Sequence, residues 1–183
     1  MKKTLGILMV LILLGAGALF AAGQQESDLI KVGIVNLPPE ESGYRQANVE
    51  DMNAVFSKAN GYDAKQTNTA DNSEQIAAAR GYIRDGVDYL LISAANASGW
   101  DDTLKSAKDA GIQVILFDRS IDTDESNYQA AILSDMAYEG EKAVEWVLSL
   151  DLDEINLILI RGQMGSAAEI GRSAAVLKAA REG

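Results

Sequence analysis

Residues 112–118 read "IQVILFD". Ile112, Val114, Ile115, Leu116 and Phe117 are apolar, and the run stops on an acid, Asp118. A strand with one wet face alternates apolar and polar residues. A nearly continuous apolar run is the pattern of a strand covered on both faces. "VDYLLIS" (87–93) and "INLILIR" (155–161) have the same character. Together they predict a parallel sheet with helices on each side.

Working outward, "IKVGIVN" (30–36), "YDAKQTN" (62–68) and "NYQAAIL" (127–133) are further strand candidates. Between the strands, apolar residues recur at helical spacing. In 43–61 these are Tyr44, Ala47, Val49, Met52, Val55 and Phe56, with Asn60-Gly61 as the stop signal. A second helix is expected over 72–86, capped by Asn72 or Ser73 and closed by Gly86. Others are expected over 98–111, 134–150 (opened by Ser134 or Asp135) and 165–183. Strand and helix alternate throughout, which makes this an α/β chain.

The chain has 183 residues, no cysteine and no histidine. Disulfide frameworks and thiolate zinc sites are excluded, and the commonest metal ligand and general base is absent. No metal, no cofactor and no catalytic residue are expected. A formal net charge of −11 argues against nucleic acid and anionic membrane surfaces as partners. Residues 1–23 have a basic start, an uncharged stretch from Leu5 to Phe20 and a small-residue end. This is the pattern of a secretory signal peptide, predicting a periplasmic or cell-envelope location.

Open parallel sheets bind ligands beyond the carboxyl ends of their strands. After the first strand stands "NLPPEESGYRQAN" (36–48), stiffened by the chain's two prolines. Ser42 suits a helix cap and Glu41 the positive end of a helix. Tyr44 reads as a packing staple or, with its polar neighbours, as part of a polar-aromatic wall facing a ligand. After the third strand, Trp100 in "SAANASGWDD" (93–102) reads as packing or as a stacking platform. After the fourth, Asp118 and Arg119 stand side by side. They read as a structural ion pair, or as a grip on vicinal hydroxyls, which both donate and accept. "RGQMGSAAEIGR" (161–172) is a glycine-containing turn before a helix, without the ending of a phosphate loop.

The ordered set "ESGYR" (41–45), "DGVDYLLIS" (85–93), "GW" (99–100), "KDAGIQVILFDRSID" (108–122), "SDMAYEG" (134–140) and "GQMGSAA" (162–168) resembles a known family. It is similar to the periplasmic sugar-binding proteins of bacterial ABC transporters, of the ribose and galactose type. It looks nearest to those that bind galactofuranose. The resemblance implies a type I periplasmic-binding-protein fold, in which two similar α/β lobes close on one monosaccharide. Carried over residue by residue, it implies ligand contacts from Glu41, Ser42, Gly43, Tyr44, Arg45, Asp118, Arg119 and Arg172. Tyr44 stands where the galactofuranose type carries Trp, and Ser134-Asp135-Met136 replaces a Ser-Asp-Asn. The implied partners are a monosaccharide and the membrane permease of an ABC transporter, with a monomeric full-length form.

The resemblance also implies two lobes of about 100–150 residues each. On that scale the chain reads as C-terminally truncated. Residues 28–133 would form an incomplete first lobe, and 134–183 the start of a second. Exposed apolar surface is expected around Leu157, Ile158 and Val176, with weak or no sugar binding by this chain alone. A sugar-sensing module signalling to a chemoreceptor or kinase is the alternative function. A sugar-processing enzyme is disfavoured by the missing histidine and by the absence of two spaced carboxylates.

Overall fold

The computed structural model describes residues 29–182, so the expected signal peptide lies outside the described residues. Five strands form one parallel sheet: β1 Ile30–Asn36, β2 Tyr62–Asn68, β3 Tyr89–Ile92, β4 Gln113–Asp118 and β5 Ala130–Leu133. Their order is β2-β1-β3-β4-β5. Helices α1 Gly43–Val55, α2 Asn72–Asp85 and α3 Asp101–Asp109 connect the first four strands. Two more follow the sheet, α4 Met136–Leu148 and α5 Ala167–Glu182.

The apolar runs do what their pattern requires. Val35, Leu90, Ile92, Val114 and Leu116 face α2 and α3, where Ala79, Tyr82, Trp100, Leu104 and Ala107 complete a buried layer. Val32, Ile34, Leu91 and Phe117 face the other way, against Met52 and Phe56. Gly33 belongs to the α2 side. A Cβ there would stand 2.6 Å from the Tyr82 ring, so glycine lets the helix lie close. Val35 pairs with Ile92, and Ile92 with Leu116. The carboxyl ends of β1, β3 and β4 therefore finish nearly level, at Asn36, Ser93 and Asp118.

Side-chain caps set several helix starts. Ser42 accepts from the Arg45 N–H at the start of α1, and Asp135 accepts from the Tyr138 N–H at α4. Helix α2 is capped by Asp71, whose carboxylate accepts from the Glu74 N–H, rather than by Asn72 or Ser73. Helix α1 ends at Val55 and the expected stop works one turn later. There Lys58–Asn60 form a 3-10 turn and Gly61 takes φ 90°.

The largest departure is 155–161. Its apolar sequence predicts a strand, but the segment runs without pairing to the sheet. Ile158 is 90% exposed and Ile160 89%. Hydrophobicity and β-branching supply strand propensity; a partner edge must come from elsewhere in the structure. Leu157 and Ile158 are exposed as expected, whereas Val176 is half-buried. Strand β5, at the sheet edge, is exposed along its whole length. Helices α4 and α5 pack chiefly on each other. Glycines make that crossing close: a Cβ on Gly140 would lie 2.5 Å from the Arg172 carbonyl, and one on Gly171 2.6 Å from Met136 Cβ.

Candidate functional site

The first turn of α1 turns Arg45 inward, beneath the level strand ends, until only 1% of it is exposed. A buried guanidinium needs acceptors around its whole plane. Its Nη2 donates to Asp118 Oδ2 at 2.5 Å, and its Nε to Glu41 Oε2 at 3.2 Å. Its Nη1 donates to Asn36 Oδ1 at 2.9 Å and reaches Ser93 Oγ at 3.5 Å. Ser93 in turn donates to Asp118 Oδ2 at 3.2 Å.

Asp118 takes φ 61°, and the Arg119 N–H bonds back to the Phe117 carbonyl at 2.6 Å. A three-residue turn with positive φ at its centre is the rarer, strained form. It sends neighbouring side chains to different partners. Asp118 goes to Arg45, and Arg119 Nη2 goes to Glu41 Oε1 at 2.6 Å. The two residues themselves approach only to 3.9 Å. The pair anticipated at 118–119 is thus half of a four-member network, in which Glu41 bridges both arginines. Arg119, 8% exposed, keeps its Nη1 buried and unpartnered.

Above this network lies a cleft of about 880 Å³. Glu41, Ser42, Tyr44, Arg45, Asp118 and Arg119 line one side; Arg161, Gln163, Ser166, Glu169, Arg172 and Ser173 line another. The volume is within the range of small-ligand sites. Tyr44 is 58% exposed rather than packed as a staple, and the Arg45 guanidinium carbon stands 5.3 Å from its ring centroid. Partial burial pushes its phenol pKa up, and the Asp118 carboxylate adds to the rise. Gly43 opens α1 but is not a lining residue. Arg172 reaches the cleft with its Nε directed to Glu139 at 2.7 Å. Trp100 belongs to the core: it is wholly buried and its indole N–H donates to the Asn96 carbonyl at 3.0 Å. Among the described residues no group of acids, cysteines and histidines is arranged to hold a metal.

Sequence reasoning did not single out Asn36, Ser93, Arg161 or Glu169. Asn36 and Ser93 carried one usable signal: each is a polar residue closing an apolar strand run. Glu169 is buried and accepts from the Gly165 N–H at 3.1 Å and from the Arg161 guanidinium. The turn holding it is fastened to the sheet unit. Gly165 O accepts from Ala97 N–H at 2.9 Å, and Gln163 Nε2 donates to Ala70 O at 3.0 Å. The Gly165 N–H first, then Arg161, holds the Glu169 carboxyl below its ordinary value of 4.5. A carboxylate with a depressed folded pKa stabilises the fold above its unfolded value, and the contribution is lost as pH falls through the folded value. Amide exchange of residues 161–166 is therefore expected to be constant above pH 5 and to accelerate as pH drops further below about 4.5, after correction for intrinsic rates. Glu169→Gln should remove that step from the profile.

Known proteins share the sequence pattern and the fold of this chain. The family model described as "Periplasmic binding protein domain" matches residues 32–183. The chain belongs to that family. Periplasmic binding proteins are binding proteins rather than enzymes, and their setting is outside the cytoplasm. The chain is 34% identical over 155 residues to the fructose import binding protein FruE of Bifidobacterium longum, covering 81% of this chain and 47% of that protein. It is 35% identical over 137 residues to the galactofuranose-binding protein YtfQ of Escherichia coli, covering 72% and 42%. Among solved structures, a galactofuranose binding protein superposes with TM-score 0.75 at 30% identity, covering 83% of this chain and 52% of that one. A Mycobacterium smegmatis protein in complex with β-D-fucofuranose gives 0.74 at 31%, covering 84% and 51%. The chain spans about half the length of the relatives it matches.

Proposed function

We propose that this chain supplies the sugar cleft of an extracytoplasmic solute-binding protein, which delivers a neutral monosaccharide of the galactofuranose or galactose kind to an ABC-transporter permease. The observation that carries the reading is the orphan Nη1 of Arg119, a buried donor beside the Asp118 carboxylate at the cleft wall. A hydroxyl both accepts and donates, so a polyol satisfies the two together. Charge supports a neutral ligand. Arg45 and Arg119 are matched by Glu41 and Asp118, Arg161 by Glu169, and Arg172 by Glu139. An anionic ligand would meet no spare cation among these arginines. Tyr44 offers a half-open ring for the C–H face of a sugar. The relatives bind fructose and galactofuranose by name, which agrees.

In this reading Glu41, Ser42, Tyr44, Arg45, Asp118 and Arg119 are ligand contacts, with Arg172 at the rim and Gly43 serving only the turn. Residues 1–23 are the export signal, 28–133 belong to one lobe and 134–183 to the other. The test is an NMR titration of the 183-residue chain, following the Arg45 and Arg119 Nε–H signals. Galactose, arabinose and fructose are compared with glucuronate and glucose 6-phosphate. Saturable shifts with a neutral sugar are expected, in a range of about millimolar for this chain alone. A preference for the anions, or turnover of the sugar, overturns the reading. A sensing role is the second reading. It is favoured by the fructose binding periplasmic domain of a hybrid two component system, which superposes with TM-score 0.70 at 25% identity.

A further inference from the structure

We infer that Asn36 is the positioning residue of the site: it does not line the cleft, and it fixes the plane of the Arg45 guanidinium that orders the other three charges. The inference rests on the sugar-cleft reading above and adds to it a residue outside the ligand contacts. Asn36 closes β1 and is wholly buried. It is absent from the cleft lining. Its amide is held on every side. Oδ1 accepts from the Leu37 N–H at 2.8 Å and from Arg45 Nη1 at 2.9 Å. Nδ2 donates to Asn48 Oδ1 on α1 at 2.9 Å. Its carbonyl accepts from the Thr69 N–H at 3.0 Å and from Gln75 Nε2 at 3.1 Å.

Gln75 makes that anchor rigid. It too is wholly buried, and it ties Asn36 to β3 by donating to the Ser93 carbonyl at 3.3 Å and accepting from the Ala95 N–H at 2.7 Å. A buried polar layer thus runs under the strand ends from β1 to β3, and through Asn36 it meets the Arg45 guanidinium. Among the described residues, the other acceptor offered to Arg45 Nη1 is Ser93 Oγ, at the long distance of 3.5 Å. Without Asn36 the guanidinium plane is free to rotate toward Ser93. That rotation moves Nη2 off Asp118 and Nε off Glu41, and Glu41 is what holds Arg119. Groups that hold a binding residue in place govern affinity through geometry.

The experiment uses the full chain with Asn36→Leu, Asn36→Ser and Asn36→Asp. In the ligand-free chain, the Arg45 Nε–H signal is expected to exchange slowly with solvent, because the group is buried and bonded to Glu41. Asn36→Leu and Asn36→Ser are expected to shift that signal and speed its exchange, while Asn36→Asp, which keeps an acceptor, restores slow exchange. Affinity for the neutral sugar that wild type binds should fall about tenfold in Asn36→Leu and recover in Asn36→Asp. In an Arg45→Met background the Asn36→Leu change should have no further effect on affinity. Asn36→Ser is the fallback if the leucine variant does not fold. An unchanged Arg45 signal in a folded variant overturns the inference, as does additivity with Arg45→Met. Failure of wild type to bind any neutral sugar overturns the sugar-cleft reading instead, because the ligand-free signal is read independently.

Discussion

Arg45→Met is expected to lower unfolding stability by about 3–5 kcal/mol, the cost of leaving buried charge without its partner. Arg45 is 1% exposed, and the side chain of Asp118 is only 10% exposed. Methionine fills much of the volume, so lost packing accounts for little of the effect. Asp118 Oδ2 keeps Ser93 Oγ at 3.2 Å and, more distantly, Arg119 Nε at 3.9 Å, and Glu41 keeps Arg119. Urea denaturation at neutral pH measures the loss. The double variant Arg45→Met/Asp118→Leu should recover part of it, since replacing both members of a buried pair costs less than orphaning one. A single-variant loss below about 1 kcal/mol would show that water reaches the network and screens it. Sugar shifts of the Arg119 Nε–H signal should persist in both variants but saturate at about tenfold higher sugar concentration.

Trp100→Ala is expected to cost a similar amount, about 3–5 kcal/mol, for a different reason. Trp100 is wholly buried in the layer formed with Leu104, Leu116 and Ile121. Alanine there leaves a cavity and an unpaired Asn96 carbonyl, which had accepted the indole N–H. The same change should leave the Arg45 and Arg119 Nε–H shifts on sugar addition in place, at temperatures where the variant is folded. This separates packing from stacking on a ligand, the two readings open to a tryptophan at a strand end. Trp100→Phe should cost less than Trp100→Ala, because it retains most of the buried surface.

The two substitutions mark how legible the chain is. Runs such as 87–93 and 112–118 identified a parallel sheet because burial on both faces requires apolar residues at every position. The end that carries the cleft followed, since level strand ends and helix starts share one side of such a sheet. Glu41, Arg45, Asp118 and Arg119 were legible as polar residues at those ends. Their pairing was not. Adjacency of Asp118 and Arg119 suggested one ion pair, whereas the positive φ at Asp118 sends each to a different partner. Asn36 and Gln75 were hidden for a related reason: their partners lie on other strands, at no fixed spacing in sequence.

The segment 155–161 shows the other limit. Its residues specify extended backbone as clearly as those of β4 do, yet β4 lies between two partner strands and 155–161 pairs with none. Local properties were determined by the sequence alone: which segments are helical or extended, which faces are apolar, and, to within a residue or two, where helices start. Each depends on residues a few positions apart. Tertiary structure decided which extended run enters the sheet, which carboxylate meets which guanidinium, and that one donor of Arg119 stays free. Those outcomes depend on groups brought together from distant parts of the chain.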